Sequence, residues 1–329
     1  MLTLADSHAL LPWRFSGFDF SGTMGIFSRE EDHLMILVAG SANLDFVVRA
    51  KHIPAPGETV LGFDFKTFPG GKGANQAIAC ARAGGAPTQM LLALGDDAFA
   101  QPLEASLNAA HVRMHIKRVV GEPTGTAFIC VSDDAENAIT VAPGANNALA
   151  GADLPPLAGV SHLLMQLETP LAAVTAYAQA ARAQGVKVVL NAAPAQQLPA
   201  DLLALIDILI VNEGELAAIS NHAGTVEQNL ARVPVPCVIV TLGGDGALAQ
   251  VDGKLIRQAA FPVKPVDTTA AGDTFCGVLV AALSQGQTVA QALRQACAAG
   301  ALACLKPGAQ SSIPTQADLE TFLKDQLTS

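Results

Sequence analysis

Asp273 stands at the head of an apolar helical run, directly behind Ala270, Ala271 and Gly272, in the stretch "DTTAAGDTFCG" at 267–277. A helix start favours Asp because its carboxylate accepts hydrogen bonds from backbone N–H groups that have no partner within the helix. The three small residues leave those N–H groups uncovered, so the same turn can also cradle an anion with a carboxylate beside it. Taken alone, the stretch is compatible with a simple cap or with a site.

Other polar residues recur at the ends of apolar runs. "GSANLD" (40–45) delivers Asn43 and Asp45 after the first of them, expected to project from a strand's carboxyl end, and "MQLE" (165–168) ends another on Glu168. Singly, these are Asx turns or helix caps. Together they suit vicinal hydroxyls, which Asn, Asp and Glu hold well as acceptors. "PGGKGANQAIACARAGG" (69–85) places Gly70, Gly71, Lys72 and Gly73 before a helix whose face carries Ala77, Ile78 and Ala81. The phosphate-loop pattern GxxxxGK[ST] is not met, since Lys72 is not followed by Ser or Thr. The stretch reads either as a glycine-capped turn or as backbone that lets a polyhydroxylated ligand approach, with Asn75 able to donate and accept.

"VNEGE" (211–215) sets Asn212 and Glu215 three residues apart, on one face of a first helical turn. They read as a capping pair, or as hard oxygen ligands for Mg²⁺ beside a phosphate. "TLGGDG" (241–246) is fully explained as a Gly-rich hairpin turn. His111 and His115 have helical metal-ligand spacing, but Val112, Met114 and Ile116 alternate with them. That is a strand pattern, on which the two rings stand roughly 13 Å apart, and it excludes a shared metal. Cys276, Cys297 and Cys304 lie on apolar helical faces and read as core.

The elements that must position these groups alternate. Runs at 34–40, 88–94, 161–166, 186–191, 207–212 and 237–242 have the continuous apolar character of strands buried on both faces. Helical patterns lie near 73–84, 98–110, 171–185, 213–220, 273–284 and 289–305. The alternation predicts an α/β fold: a mostly parallel central sheet, helices on both faces, ligands at the strands' carboxyl ends. Segments 46–68 and 121–142 break the rhythm with β-branched and aromatic residues between turns. They predict two hairpins that pair into a small inserted β-sheet, placed to act as a lid.

Half of the 329 residues are apolar and 15% are charged, with a formal charge of −10 and no Lys/Arg cluster. Such a balance argues against nucleic acid and against an anionic membrane, and points to a small-molecule partner. No uninterrupted apolar run reaches the roughly 18 residues of a membrane span. Six cysteines without a CxxC pair read as free thiols in a reducing compartment, hence the cytoplasm. Residues 1–33 hold the only Trp and no clear period. They read as a weakly ordered extension without a convincing secretory signal, with Met24 and Met35 as alternative starts.

With "GSANLD", "GGKGAN", "MQLE", "NEGE", "TLGGDG" and "DTTAAGDTFCG" in this order, residues 35–329 closely resemble the ribokinase-like family of carbohydrate kinases. The resemblance implies a Rossmann-like, ribokinase-like kinase domain over 34–329 that transfers the γ-phosphoryl of ATP to the 5-hydroxyl of D-ribose, giving ribose 5-phosphate and ADP. It implies Asp273 as general base and the N–H groups of Ala271 and Gly272 as anion hole. It implies sugar contacts at Asn43, Asp45, Gly71, Lys72, Gly73, Ala74, Asn75 and Glu168, with Asp273. Nucleotide, Mg²⁺ and phosphate contacts fall on Asn212, Glu215, Gly272 and the loop Thr241, Leu242, Gly243, Gly244, Asp245 and Gly246. Cys297 stands near the adenine where relatives often carry His or Asn. A K⁺ site is implied at Asp267, Thr269, Ala303, Lys306, Gly308 and Ser312, largely through backbone oxygens, and a homodimer through the lid. A sister kinase acting on deoxyribose, fructose or a nucleoside is the alternative, and a catalytically silent sugar-binding regulator on the same fold a more distant one.

Overall fold

The computed structural model describes residues 35–134 and 136–328, so the expected extension over 1–33 lies outside the described residues. In chain order the elements are β1 (Met35–Ala39), β2 (Asn43–Ala50), β3 (Phe63–Gly70), α1 (Lys72–Ile78), β4 (Thr88–Gly95), α2 (Ala100–Ala109), β5 (Arg113–Val119), β6 (Gly125–Ser132) and β7 (Asn137–Ala142). There follow β8 (Val160–Met165), α3 (Leu171–Ala183), β9 (Lys187–Asn191), α4 (Ala200–Leu203), β10 (Ile208–Asn212), α5 (Glu213–Ser220), α6 (Val226–Leu230) and β11 (Cys237–Thr241). The chain closes with β12 (Ala247–Val251), β13 (Lys254–Gln258), α7 (Ala271–Ser284), α8 (Val289–Ala303) and α9 (Gln316–Thr328).

Nine strands form the central sheet in the order β13-β12-β11-β10-β9-β8-β1-β4-β5. It is parallel from β11 to β5, and β12 and β13 are added antiparallel at one edge. Successive side chains of a strand point to opposite faces. Ile36 and Val38 of β1 accordingly join one core with Met90, Leu92 and the α7 residues Val278 and Leu279. Leu37 and Ala39 join the other, with Leu163, Val188 and the α3 residues Val174 and Tyr177. Burial on both faces is why these strands are continuous apolar runs in sequence.

α7 lies hard against α1. A Cβ on Gly277 would stand 2.6 Å from the Gln76 carbonyl oxygen, so glycine there sets the close approach that carries Asp273 to α1. Beyond Ile78 the α1 helix widens into a π-helical turn over Ala79–Ala83, where the sequence predicts one continuous helix.

The small sheet has the order β3-β2-β6-β7. Its two hairpins join through a parallel β2–β6 pair running from Asn43 opposite Gly125 to Ala50 opposite Ser132. β2 and β6 follow β1 and β5, which run the same way in the large sheet, so they enter the small sheet from the same end. One expectation is corrected here. Rather than projecting from the carboxyl end of β1, Asn43 and Asp45 open β2, where the period of two puts both on one face. Phe46 stacks on Phe65 and Phe128, with centroids 6.1 and 5.4 Å away. Phe63, Phe65, Phe128 and Ile139 are exposed on this sheet.

His111 sits in the left-handed region after α2, and His115 lies on β5 with its ring against Gln89 Oε1. The strand reading holds from Arg113 onward, while His111 precedes the strand in a turn.

Candidate active site

The glycine loop before α1 packs backbone to backbone against the turn between β1 and β2. Gly71 has φ +88°, and a Cβ there would stand 2.7 Å from Ala42 Cα and from Asn43 N. No other residue type fits that approach without strain. Because of it, the Lys72 backbone N–H donates to Glu168 Oε2 at 3.2 Å, while Ser41 Oγ donates to the same oxygen at 2.6 Å and Asn43 Nδ2 reaches it at 3.5 Å. Asn146 orients Asn43. Its Nδ2 donates to Asn43 Oδ1 at 2.8 Å and its Oδ1 accepts from the Ala42 N–H at 3.1 Å, leaving Asn43 Nδ2 for Glu168.

Asp45 is buried beside this cluster. Burial, with Glu168 and Asp273 nearby, pushes its carboxyl up to about 7. Lys72 is the cation among these acids. Asp273 chiefly, and Glu168 and Glu215 with it, hold its ammonium above the ordinary lysine range against the opposing effect of burial. The carboxyl groups and the ammonium together offer acceptors and a donor to a hydroxyl-rich ligand.

Asp273 lies in the first turn of α7, whose N-cap, Ala270, is left-handed at φ +58° and offers no side-chain cap. Asn75 Nδ2 and Gln76 Nε2 each donate to one of its carboxylate oxygens at 2.9 Å. The carboxylate thus faces α1 rather than capping its own helix. The Ala271 N–H is engaged by the Thr268 carbonyl at 3.2 Å. A Cβ at Gly272 would meet nothing within 4 Å, so this backbone borders open space.

Two cavities meet at Gly272. A larger one of about 410 Å³ is bordered by Thr241, Gly243, Gly244, Gly246, Phe261, Phe275 and Cys297 among others. A smaller one of about 170 Å³ is bordered by Lys72, Asn191, Asn212, Glu215 and Asp273. Gly272 and Thr241 border both. Within the loop 241–246, Leu242 packs against the core and Asp245 is not among the residues bordering the large cavity.

Asn212 and Glu215 form the capping pair. Asn212 Oδ1 accepts from the Glu215 N–H and Glu215 Oε2 from the Asn212 N–H, both at 2.8 Å. Glu215 borders the smaller cavity, and burial raises its carboxyl above the ordinary range. Asp267 ties two loops together. It accepts from the Thr269 N–H at 2.8 Å, from Thr269 Oγ1 at 2.6 Å and from the Gly308 N–H at 2.8 Å. Burial works to raise its carboxyl, but these donors outweigh it and hold it low. Ala303 and Ser312 take part in the second loop through Lys306 N–H to Ala303 O at 3.4 Å and Ser312 Oγ to Ala309 O at 2.8 Å. Among the described residues no cluster of three or more His, Cys, Asp or Glu could hold a metal by itself.

The sequence reading missed Ser41, Gln76, Asn146 and Asn191, and the segment Phe261–Pro265 that walls the large cavity. Only Asn191 carried a signal, as a polar residue ending an apolar strand like Asn212 and Glu168.

A doubly covered parallel sheet, a small side sheet and a carboxylate held at a helix N-terminus between two cavities suit an enzyme that brings two small molecules together. The chain belongs to the pfkB family of carbohydrate kinases, whose sequence profile matches residues 33–316. It is 40% identical over 301 residues to the ribokinase of Haemophilus influenzae, covering 88% of this chain and 98% of that one. The solved ribokinase of Thermotoga maritima matches with a TM-score of 0.83 at 35% identity, over 88% of this chain and 99% of that one. The structure of Arabidopsis thaliana ribokinase complexed with ribose and ATP matches with a TM-score of 0.82 at 33% identity, over 88% and 98%.

Proposed function

We propose that this chain transfers the γ-phosphoryl group of ATP to the 5-hydroxyl of D-ribose, giving ribose 5-phosphate and ADP. The observation that carries this reading is the Asp273 carboxylate, held by Asn75 and Gln76 beside Gly272, where two cavities meet. Full-length relatives that are ribokinases support it. In the proposed reaction the 5-hydroxyl oxygen forms the new bond to the γ-phosphorus, the bond from that phosphorus to ADP breaks, and Asp273 takes the hydroxyl proton. Little covalent chemistry is asked of the protein beyond positioning and charge stabilisation. Gly272, with Ala271 once its contact to Thr268 loosens, offers N–H groups at a helix N-terminus to the charge spreading on the transferred group.

Asn43, Asp45, Asn75 and Glu168 are the proposed sugar-reading side chains, with Lys72 and the backbone of Gly71, Gly73 and Ala74 completing the wall. ATP is assigned to the larger cavity with Thr241–Gly246 and Cys297. Asn212 and Glu215 suit Mg²⁺, which keeps several waters and takes one or two protein groups, and which when bound neutralises phosphate charge. Asp267, Thr269, Ala303, Lys306, Gly308 and Ser312 are assigned to K⁺ because Asp267 already draws both loops together, with backbone oxygens as the remaining donors. The exposed Phe63, Phe65, Phe128 and Ile139 support a homodimer through the small sheet. Among the described residues no helix is long and apolar enough to cross a membrane, and all six cysteines are free, which supports a cytoplasmic assignment.

Coupled ADP release measured across pentoses, hexoses and nucleosides tests the reading. Ribose is expected to give the highest kcat/KM. A hexose or nucleoside ahead of ribose by tenfold replaces the substrate, and no stimulation by any of them removes the activity.

A further inference from the structure

Gln76 is wholly buried one residue beyond Asn75, and it borders neither cavity. Its Nε2 lies 2.9 Å from Asp273 Oδ1 and 3.0 Å from Asn191 Oδ1, and its Oε1 lies 2.6 Å from Gln166 Nε2. The oxygen and nitrogen of an amide have nearly the same shape, so its sense must follow from its partners. Here one end of the chain is unambiguous. Asn191 Nδ2 donates to the Ile210 carbonyl at 3.2 Å, and a carbonyl can only accept. Asn191 therefore turns its Oδ1 to Gln76, which must answer with its NH₂. One hydrogen of that NH₂ is used on Asn191, and the other lies on Asp273. Gln166 closes the arrangement by donating to the remaining oxygen. It fits only because residue 40 is glycine: a Cβ there would stand 1.9 Å from Gln166 Oε1.

We infer that Gln76 is a positioning residue of the phosphoryl transfer, its amide locked in one sense from the Ile210 carbonyl through Asn191 so that it holds the Asp273 carboxylate correctly turned toward the sugar. This rests on Asp273 being the base. Asn75 comes from the same helix and secures the other oxygen. The remaining groups facing Asp273 are Lys72 on α1, Asp45 on β2, Glu215 on α5 and the Cys276 thiol on α7. Gln76 touches Asp273 from the wholly buried side, away from both cavities. A carboxylate held by two donors keeps one orientation toward the reacting hydroxyl, so losing the Gln76 donor must lower turnover while leaving ribose affinity in place.

The test is kcat at saturating ribose and MgATP, with ribose affinity by calorimetry, for the parent, Gln76→Met, Gln76→Glu and Asp273→Asn. Gln76→Met is expected to lower kcat about tenfold and leave ribose affinity within about threefold. Gln76→Glu matches the parent in shape, keeps an acceptor for Gln166, and replaces the donor to Asp273 by a second carboxyl. It should lower kcat at least as far, and it decides the matter if the Met variant does not fold. A kcat within about threefold of the parent in both folded variants, or in Gln76→Glu alone if only that one folds, overturns the inference, as does a loss confined to ribose affinity. Failure of the base reading itself looks different: Asp273→Asn would then turn over within about threefold of the parent.

Discussion

Replacing Asp45 by Asn should strengthen the fold and weaken the site, and the pH at which each happens follows from the structure. In the folded chain the Asp45 carboxyl titrates at about 7 rather than the ordinary 3.8, because burial, then Glu168 and Asp273, disfavour its charge. Below 3.8 the carboxyl is protonated whether the chain is folded or not, and it contributes nothing to pH dependence. Between 3.8 and 7 the folded chain holds a proton that the unfolded chain has released, so stability falls as pH rises. Above 7 both states are ionised and the loss is complete. A gap of about three units at 1.36 kcal/mol each amounts to about 4 kcal/mol, an upper bound because Glu168 and Asp273 adjust their own ionisation. Asn keeps the shape without the charge. Melting of the parent and Asp45→Asn should therefore diverge from pH 4 to pH 8, the variant gaining relative to the parent throughout. Sugar binding should run the other way. Ribose affinity of the parent, measured without nucleotide, should rise as pH passes through about 7 and the carboxylate becomes available to hydroxyl donors, and Asp45→Asn should lack that rise. Parallel melting curves across this range would refute the electrostatic argument, and an unchanged ribose affinity in the variant at pH 8 would move the sugar elsewhere.

Asp273→Asn should keep ribose affinity and lower kcat by roughly 10² to 10⁴, read from steady-state turnover. Gly71→Ala should cost about 1–3 kcal/mol of unfolding free energy by urea titration and weaken ribose binding, because its Cβ would enter the Ala42 backbone at a φ of +88°. Turnover should be faster in KCl than in NaCl or choline chloride at equal ionic strength, since screening does not depend on ion identity; equal rates in all three would remove the cation assignment at Asp267 and leave the kinase assignment intact.

The backbone frame was readable because burial on two faces writes itself as unbroken apolar runs, and β1, β4, β8, β9, β10 and β11 all have them. The small sheet was readable from its aromatics and turns, but not its parallel β2–β6 join, which depends on which end of the large sheet the chain leaves. Asn43 and Asp45 were recognisable as polar residues after an apolar run, while their place inside β2 was not, because "NLDFVV" does not say where the loop stops. Gln76 and Gln166 were silent for a physical reason. A buried amide inside an apolar helix or after an apolar strand looks like an interruption until its partners, 90 residues apart in the chain, are brought together. Asn212 and Glu215 carried a capping signature that the fold uses as such, so their spacing could not distinguish a cap from a ligand pair.

The most direct measurement is the product formed from ribose and MgATP, followed by phosphorus NMR with ADP quantified in the same tube. The account predicts one equivalent of ribose 5-phosphate per ADP, with the phosphate on the 5-oxygen and the signal lost on the same timescale in Asp273→Asn. ADP release that is independent of ribose, or a sugar phosphorylated at another hydroxyl, would contradict it.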